Sequence, residues 1–528
     1  MKVSNLYKPA SILLLIISSF LLLIYKLDYE YFFTDEIVYV QTGRNLLVGD
    51  YTQSREVPML GKYIVGLTAT FAHRNIFLLR LPFVFMAVAS VFIVFLILKE
   101  RYGHYWGILG GFLYIFSPFT YSTSRMAMLE PLNNLLWLCF HFFYLRFFMY
   151  KKIRYMLFAG VFIGLGMATK IPSIVLYPFS LLIFLMYLKA KKLKFGLDHL
   201  KELLTMYGAS VLVYGLSYLG LFLKEGVDGL IKVPQNVYDK YLIKRDLVGK
   251  AHIVDGKIYN QSPYWYYFYY IAQEYSPPQL FTAVAGSIVW IVERSFFALY
   301  WLMFLITSFL FFQALNVKAS RYISFMEVAL VFLSIIALKE LSDLLKRKYK
   351  SRVTMYVLGS IFIAILVPRL IHISNIEPTK YNALKNFLIE NTNNFTNGDR
   401  TIIYGSIRSG RWTFKEVRDD LVVIRKEFEL KCEYQNFKYI VFDKTELTKS
   451  LINQPNVLYD FIERNKVDYA YKKINGMDIY TKKENSNPLP FDDCLTHLPL
   501  KNAGISNWVF SESGSSVKFC LQGSFSCV

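Results

Sequence analysis

Apolar runs of about twenty residues recur along the first 370 positions of this chain, and that repetition limits its fold more than any other feature. A helix needs that length to cross the hydrocarbon of a bilayer, where every backbone donor and acceptor must be satisfied inside the element. Eleven spans are predicted, at 9–25, 81–98, 105–120, 128–148, 154–168, 171–189, 203–223, 279–292, 295–315, 322–338 and 353–368. Two of them, 154–168 and 279–292, are short for a crossing. With 54% hydrophobic and 17% aromatic residues among 528, an ordinary soluble enzyme is excluded.

Short loops rich in Lys and Arg mark the cytoplasmic side of a membrane protein. Here Lys2 and Lys8, Lys99 and Arg101, Arg146 to Arg154, Lys189 to Lys194, Arg294 and the run at 346–352 all fall on one side of the eleven-span arrangement. The N-terminus is therefore expected in the cytoplasm, with 28–80, 224–278 and everything after 370 extracytoplasmic. The formal charge of +20 is largely this topology signal, with some attraction to anionic membrane lipids. Its dispersal over membrane flanks gives no footprint for nucleic acid. The first run has lysines before an apolar core but no small-residue cleavage site after it, so it reads as retained.

Two domains are expected, a membrane domain at 1–370 and an extracytoplasmic α/β domain at 371–528. In the second, a helix at Tyr381 to Glu390 precedes strands at Thr401 to Tyr404, Leu421 to Ile424, Tyr439 to Phe442 and Met477 to Tyr480, with another helix near Val457 to Asn465. Cys139 lies within a span as a packed small hydrophobe. Cys432, Cys494, Cys520 and Cys527 fall outside, where two disulfides in one of three pairings are expected, Cys520–Cys527 being the simplest; four free thiols are the alternative.

Charged residues at a hydrocarbon boundary are costly, so those on the outer side read as site candidates. The pair Asp35-Glu36, in FFTDEIVY, can take a proton from an attacking hydroxyl or hold a metal; a helix cap by Thr34 or Asp35 is the plainer alternative. Semi-apolar stretches at 37–47 and 60–72 suggest interfacial helices, the second carrying Lys62 near its start. Arg80 precedes the second span. Arg125 and Glu130, five residues apart, stand at the outer end of the fourth, either as site groups or as a mutual ion pair. Lys170 is expected as the cationic tip of a tight turn before Pro172, and Lys318, Arg321 and Tyr322 lie at another outer edge. Outer basic clusters beside carboxylates suit a bound phosphate. The aromatic run SPYWYYFYY at 262–270, with Pro263 and Trp265, is either a substrate lip or an interfacial girdle.

Taken in order, these segments over residues 10–340 resemble the polytopic glycosyltransferases of the C-type fold, specifically the protein O-mannosyltransferase and aminoarabinose transferase group. The matching positions are Asp35-Glu36, Pro58 to Lys62, Arg125 with Glu130, Lys170-Ile171-Pro172, Arg321-Tyr322 and the aromatic run. The resemblance implies inverting transfer of a sugar, mannose among the candidates, from a dolichyl or polyprenyl phosphate donor to a protein, glycan or lipid acceptor on the extracytoplasmic face. It implies catalytic carboxylates at Asp35, Glu36 and Glu130, with Asp35 as the base or as the carboxylate that orients the acceptor. Lys62, Arg80, Arg125, Lys170, Arg321 and Tyr322 would meet the donor phosphate, and Pro263 and Trp265 the lip. The chain departs from the group at Glu130, where Asp is usual, at Met59 in place of a second proline, and in having no large inserted outer domain.

No Gly-rich nucleotide loop follows a predicted strand. Metal dependence stays open, since His73 and His252 are scattered while a carboxylate-bound divalent cation remains allowed. Two other classes compete with the transferase. A transporter or flippase of lipid-linked sugars would place charge at mid-span, whereas these charges gather at outer ends. A membrane scaffold with an outer recognition domain leaves Asp35, Arg125, Lys170 and Arg321 without a reason to share one side.

Overall fold

The computed structural model describes residues 7–29, 34–72, 75–238, 252–254, 257–259, 263–293, 295–315, 318–349, 351–376, 380–392, 399–405, 413–414, 417–418, 420–425, 436–443, 468–483, 508–513 and 516–521. The chain divides into two compact units, Met1–Glu377 and Pro378–Val528.

The first unit is helical. It comprises α1 (Tyr7–Ile24), α2 (Thr34–Leu47), α3 (Met59–Phe71), α4 (Ile76–Tyr102), α5 (His104–Ile115), α6 (Pro118–Ser124), α7 (Leu129–Tyr150) and α8 (Ile153–Thr169). A 3-10 turn (Ile171–Val175) leads into α9 (Leu176–Ala190), followed by α10 (Leu197–Leu216), α11 (Leu219–Tyr238), a small hairpin of β1 (His252–Val254) and β2 (Lys257–Tyr259), α12 (Tyr266–Glu274), α13 (Pro277–Glu293) and α14 (Phe296–Ala314). A second 3-10 turn (Ser320–Tyr322) opens α15 (Ile323–Lys348), and α16 (Ser351–Ser374) closes the unit.

Every predicted span falls on helix, although 105–120 is divided between α5 and α6 and 203–223 between α10 and α11, and fewer helices have the length and hydropathy to cross a membrane. Among the described residues five do: Ile76–Tyr102, Ile171–Ala190, Phe296–Ala314, Ser320–Lys348 and Tyr356–Ser374. A sixth arises if α10 and α11 are counted as one, although they meet at 86°. The expected straight crossing at 203–223 is thus broken at Ser217–Tyr218, and α11 bends again where Gly226 takes a φ of 66°. The expected interfacial helices appear as α2 and α3, packed so closely that a Cβ on Gly43 would lie 2.7 Å from the Gly66 Cα.

Burial orders the bundle. In α15, 89% of the most apolar stretch is covered by protein, against 17% in α16. The first is the central helix and the second lies at the edge. Broad apolar exposure, including Leu204, Val211, Leu212, Phe281 and Tyr356, would be a liability in water and is what lipid-facing helices present. The protein is a multi-pass membrane protein.

The second unit contains α17 (Lys380–Asn391), β3 (Thr401–Tyr404), β4 (Val422–Arg425), β5 (Tyr439–Asp443), β6 (Tyr469–Ile474), β7 (Met477–Lys482), β8 (Trp508–Ser513) and β9 (Ser516–Leu521). Five strands form one sheet in the order β4-β3-β5-β7-β6. Its first three are parallel, with Ile403 opposite both Ile424 and Val441, and its last two antiparallel. β8 and β9 pair separately. The expected helix at 457–465 and Cys432, Cys494 and Cys527 lie outside the described residues, as does the side chain of Cys520 in β9.

Candidate active site

The described N-terminus of α2 carries Asp35 and Glu36 in its first turn, and successive helical positions send them to different surroundings. Glu36 turns inward and is fully buried. Arg80, equally buried, donates to it from Nε at 3.0 Å and from Nη2 at 2.8 Å, a bidentate pair. The Ala127 amide donates to Glu36 Oε1 at 2.7 Å, and Arg80 Nη1 to the Leu27 carbonyl at 2.8 Å. The same Leu27 region is held by Arg125, which donates to the carbonyls of Leu23, Tyr25 and Lys26 at 2.6–2.8 Å. These acceptors lie at and beyond the C-terminal end of α1, where a cation satisfies carbonyls that the helix itself leaves open. Glu36, Arg80 and Arg125, expected on substrate, thus tie α1, α2, α4 and the α6–α7 loop together.

Asp35 faces the other way. Arg321 Nη2 meets its Oδ2 at 2.6 Å and, through Nε, the Glu130 Oε1 at 2.9 Å. Glu130 sits in the first turn of α7, where the helix dipole favours a carboxylate, and its Oε1 also receives Lys170. Lys170 ends α8 in an extended conformation and is 6% exposed. It is therefore no exposed cationic tip, because Glu130 draws it inward. Nor do Arg125 and Glu130 pair with each other: the end of α6 commits the first to α1, while α7 begins only afterwards. Tyr322 lies under this network, its ring 4.9 Å from the Lys170 Nζ and stacked on Phe312 at 5.2 Å. Glu130 Oε2 is buried with no hydrogen-bond partner among the described residues.

Lys62 is fully buried in α3. Its Nζ donates to the Ser54 carbonyl at 2.8 Å, and burial pushes its amine down to about 8. Pro263 is half-buried and Trp265 exposed just before α12, beside Tyr264 at 84% exposure, so this part of the run faces outward.

Arg321 also lines a cavity of about 460 Å³. Three further basic residues reach it, Lys318 before the second 3-10 turn and Arg369 and His372 on α16, with Glu274 the one acidic lining residue. Burial lowers the Lys318 amine. Sequence reading named Lys318 without assigning it and missed Arg369 and His372, which lie at the end of the last apolar run and resemble ordinary flanking charges. It also missed Tyr39, one turn after Asp35 on α2, whose phenol is raised by burial and then by the neighbouring Glu130. The described residues contain no group of three His, Cys, Asp or Glu side chains arranged for a metal.

Residues 56–214 match the family described as dolichyl-phosphate-mannose-protein mannosyltransferase. Among solved structures, ArnT from Cupriavidus metallidurans in the apo state aligns over 90% of this chain and 99% of its own, with a TM-score of 0.56 at 11% identity. The same protein bound to undecaprenyl phosphate gives 0.54 at 12% identity over the same shares. The archaeal oligosaccharyltransferase AglB from Archaeoglobus fulgidus, in complex with an inhibitory peptide and a dolichol-phosphate, gives 0.53 at 13% identity over 93% of this chain and 76% of its own. No curated protein matches the sequence significantly. The fold is that of C-type glycosyltransferases, as the motif resemblance implied.

Proposed function

We propose that the protein transfers a sugar from a polyprenyl or dolichyl phosphate carrier to a hydroxyl acceptor, with inversion at the anomeric carbon. The observation that carries this reading is Arg321, which touches Asp35 and Glu130 on one side and lines a cavity rich in basic residues on the other. A lipid phosphate in that cavity is an already activated leaving group, so catalysis requires orientation and neutralisation of the charge that develops on its oxygens. Arg321, Lys318, Arg369 and His372 supply cationic donors for it. Asp35, with 33% of its side chain exposed, takes the acceptor proton as the oxygen attacks the sugar carbon. Glu130 and Lys170 hold the Arg321 fork in place, and Tyr322 supports both cations from below. Should a divalent ion take part, Asp35 and Glu130 are the carboxylates that would hold it, in exchange for their guanidinium partner. The extracytoplasmic placement of this site, and of the second unit, belongs to the same proposal and follows from the distribution of Lys and Arg.

The direct test is transfer of radiolabelled sugar from synthetic polyprenyl phosphate donors by the purified protein in lipid nanodiscs. Arg321→Ala is expected to raise the donor KM or lower kcat/KM by roughly thirtyfold, the equivalent of about 2 kcal/mol for a lost charge-assisted contact. Unchanged kinetics in this variant would remove Arg321 from the donor site. Sidedness is read separately. In a cysteine-free background, a membrane-impermeant thiol reagent on intact cells should label Tyr264→Cys and spare Leu193→Cys; the opposite pattern inverts the topology and the proposed outer site with it.

A further inference from the structure

In its second turn, α15 buries a carboxylate that plays no part in the network above. Glu327 is fully buried and has no ion pair among the described residues. It accepts instead from three donors: the Phe119 amide at 2.9 Å and the Tyr275 hydroxyl at 2.5 Å on Oε1, and the Thr120 amide at 2.5 Å on Oε2. Two of these partners are backbone amides, one on each oxygen, and can only donate, so an acceptor-only carboxylate fits and a proton on either oxygen would compete with a donor. Removing such a group from water without a countercharge is costly, and these three bonds are what offset it.

One partner, Phe119, lines the cavity, and the other two sit in or beside elements that wall it. Phe119 and Thr120 belong to α6, whose Pro118, Phe119, Ser122 and Thr123 line it, and Tyr275 directly follows α12, whose Tyr266, Tyr270 and Glu274 line it opposite. Arg369, itself on the lining, donates to the Pro118 carbonyl at 3.1 Å, so the first turn of α6 is gripped from α15 and α16 together. Glu327 also lies less than two turns after Arg321 on one continuous helical stretch. A single side chain therefore sets α6 and α12 at fixed height relative to the guanidinium that the cavity shares with Asp35.

We infer that Glu327 is a positioning residue for the donor: it clamps α6 and the end of α12 onto α15 and so sets the width of the phosphate cavity without touching substrate. This inference rests on the proposed donor reading, and its test separates the two. Glu327→Gln places an N–H against backbone donors, while Tyr275→Phe removes one bond with no change of charge. Hydrogen exchange followed by mass spectrometry should show the amides of 119–120 exchanging about tenfold faster in Glu327→Gln, as expected for the loss of a charge-assisted partner. The donor KM should rise about tenfold with kcat within about twofold, and Tyr275→Phe should move the same way by less. Unchanged exchange would eliminate the clamp. A fall in active protein at unchanged KM would make Glu327 a core strut with no bearing on donor binding. If Glu327→Gln does not fold, Tyr275→Phe alone decides the KM question. A wild-type protein that turns over no lipid-phosphate donor would defeat the proposed function, while the exchange measurement would still decide whether the clamp exists.

Discussion

Replacing Asp35 with Asn is expected to lower kcat by about a thousandfold while the protein folds normally and the donor KM changes little. The substitution preserves size and leaves an amide oxygen for Arg321 Nη2, which approaches Asp35 at 2.6 Å. What it removes is the capacity to take a proton from the acceptor hydroxyl. An Asn amide is not basic enough for that, so the acceptor must attack with its proton still in place. The measurement is single-turnover transfer by purified D35N, with the thermal unfolding midpoint recorded alongside. Transfer within about tenfold of wild type would assign Asp35 to orientation only and leave the base unidentified.

The second large effect concerns folding. Arg80→Met removes both bonds of the bidentate pair from Glu36, a carboxylate in a site with no exposure. Breaking a buried pair from one side typically costs about 3–5 kcal/mol, so the variant should express poorly and unfold well below wild type. Adding Glu36→Gln should recover much of the loss. The neutral side chain can still accept from the Ala127 amide, and no uncompensated charge remains. Protein that does fold should retain its donor KM. A raised KM at unchanged unfolding midpoint would return Arg80 to the donor site and displace the structural role given to it here.

The difference between Asp35 and Glu36 shows what a sequence can and cannot carry. The pair was legible as a site because two carboxylates at a membrane boundary need partners. Their division into one residue facing Arg321 and one sealed behind Arg80 depends on the rotation of α2, which only its packing against α3 and α4 fixes. In the same way Arg125 and Glu130 stand five residues apart in the sequence with opposite charges, which invites a mutual pair. The break between α6 and α7 sends them to different partners. Arg369 and His372 were hidden by their position: cations at the end of an apolar helix are what any membrane protein displays. In the second unit the buried strands β3, β5 and β7 were readable from their apolar runs. β6 was missed because Ala470 to Lys473 is exposed throughout, though the Asn475-Gly476 pair that turns it into β7, with φ of 43° and 81°, is a hairpin signal in its own right.

On α16, Arg369 and His372 share a turn and a half with Val367, Leu370 and Ile371, whose exposures are 42%, 44% and 56%. One short stretch of helix therefore meets both an aqueous, cationic chamber and the hydrocarbon of the bilayer. For a carrier with dozens of methylene-equivalent groups, each worth about 0.8 kcal/mol when buried in lipid, extraction into water would be prohibitive. A phosphate received at this edge needs no extraction. The polyprenyl chain can stay dissolved where it is made, and the spent carrier can leave by sideways diffusion, so that supply of donor is set by its mole fraction in the membrane and not by any concentration in solution.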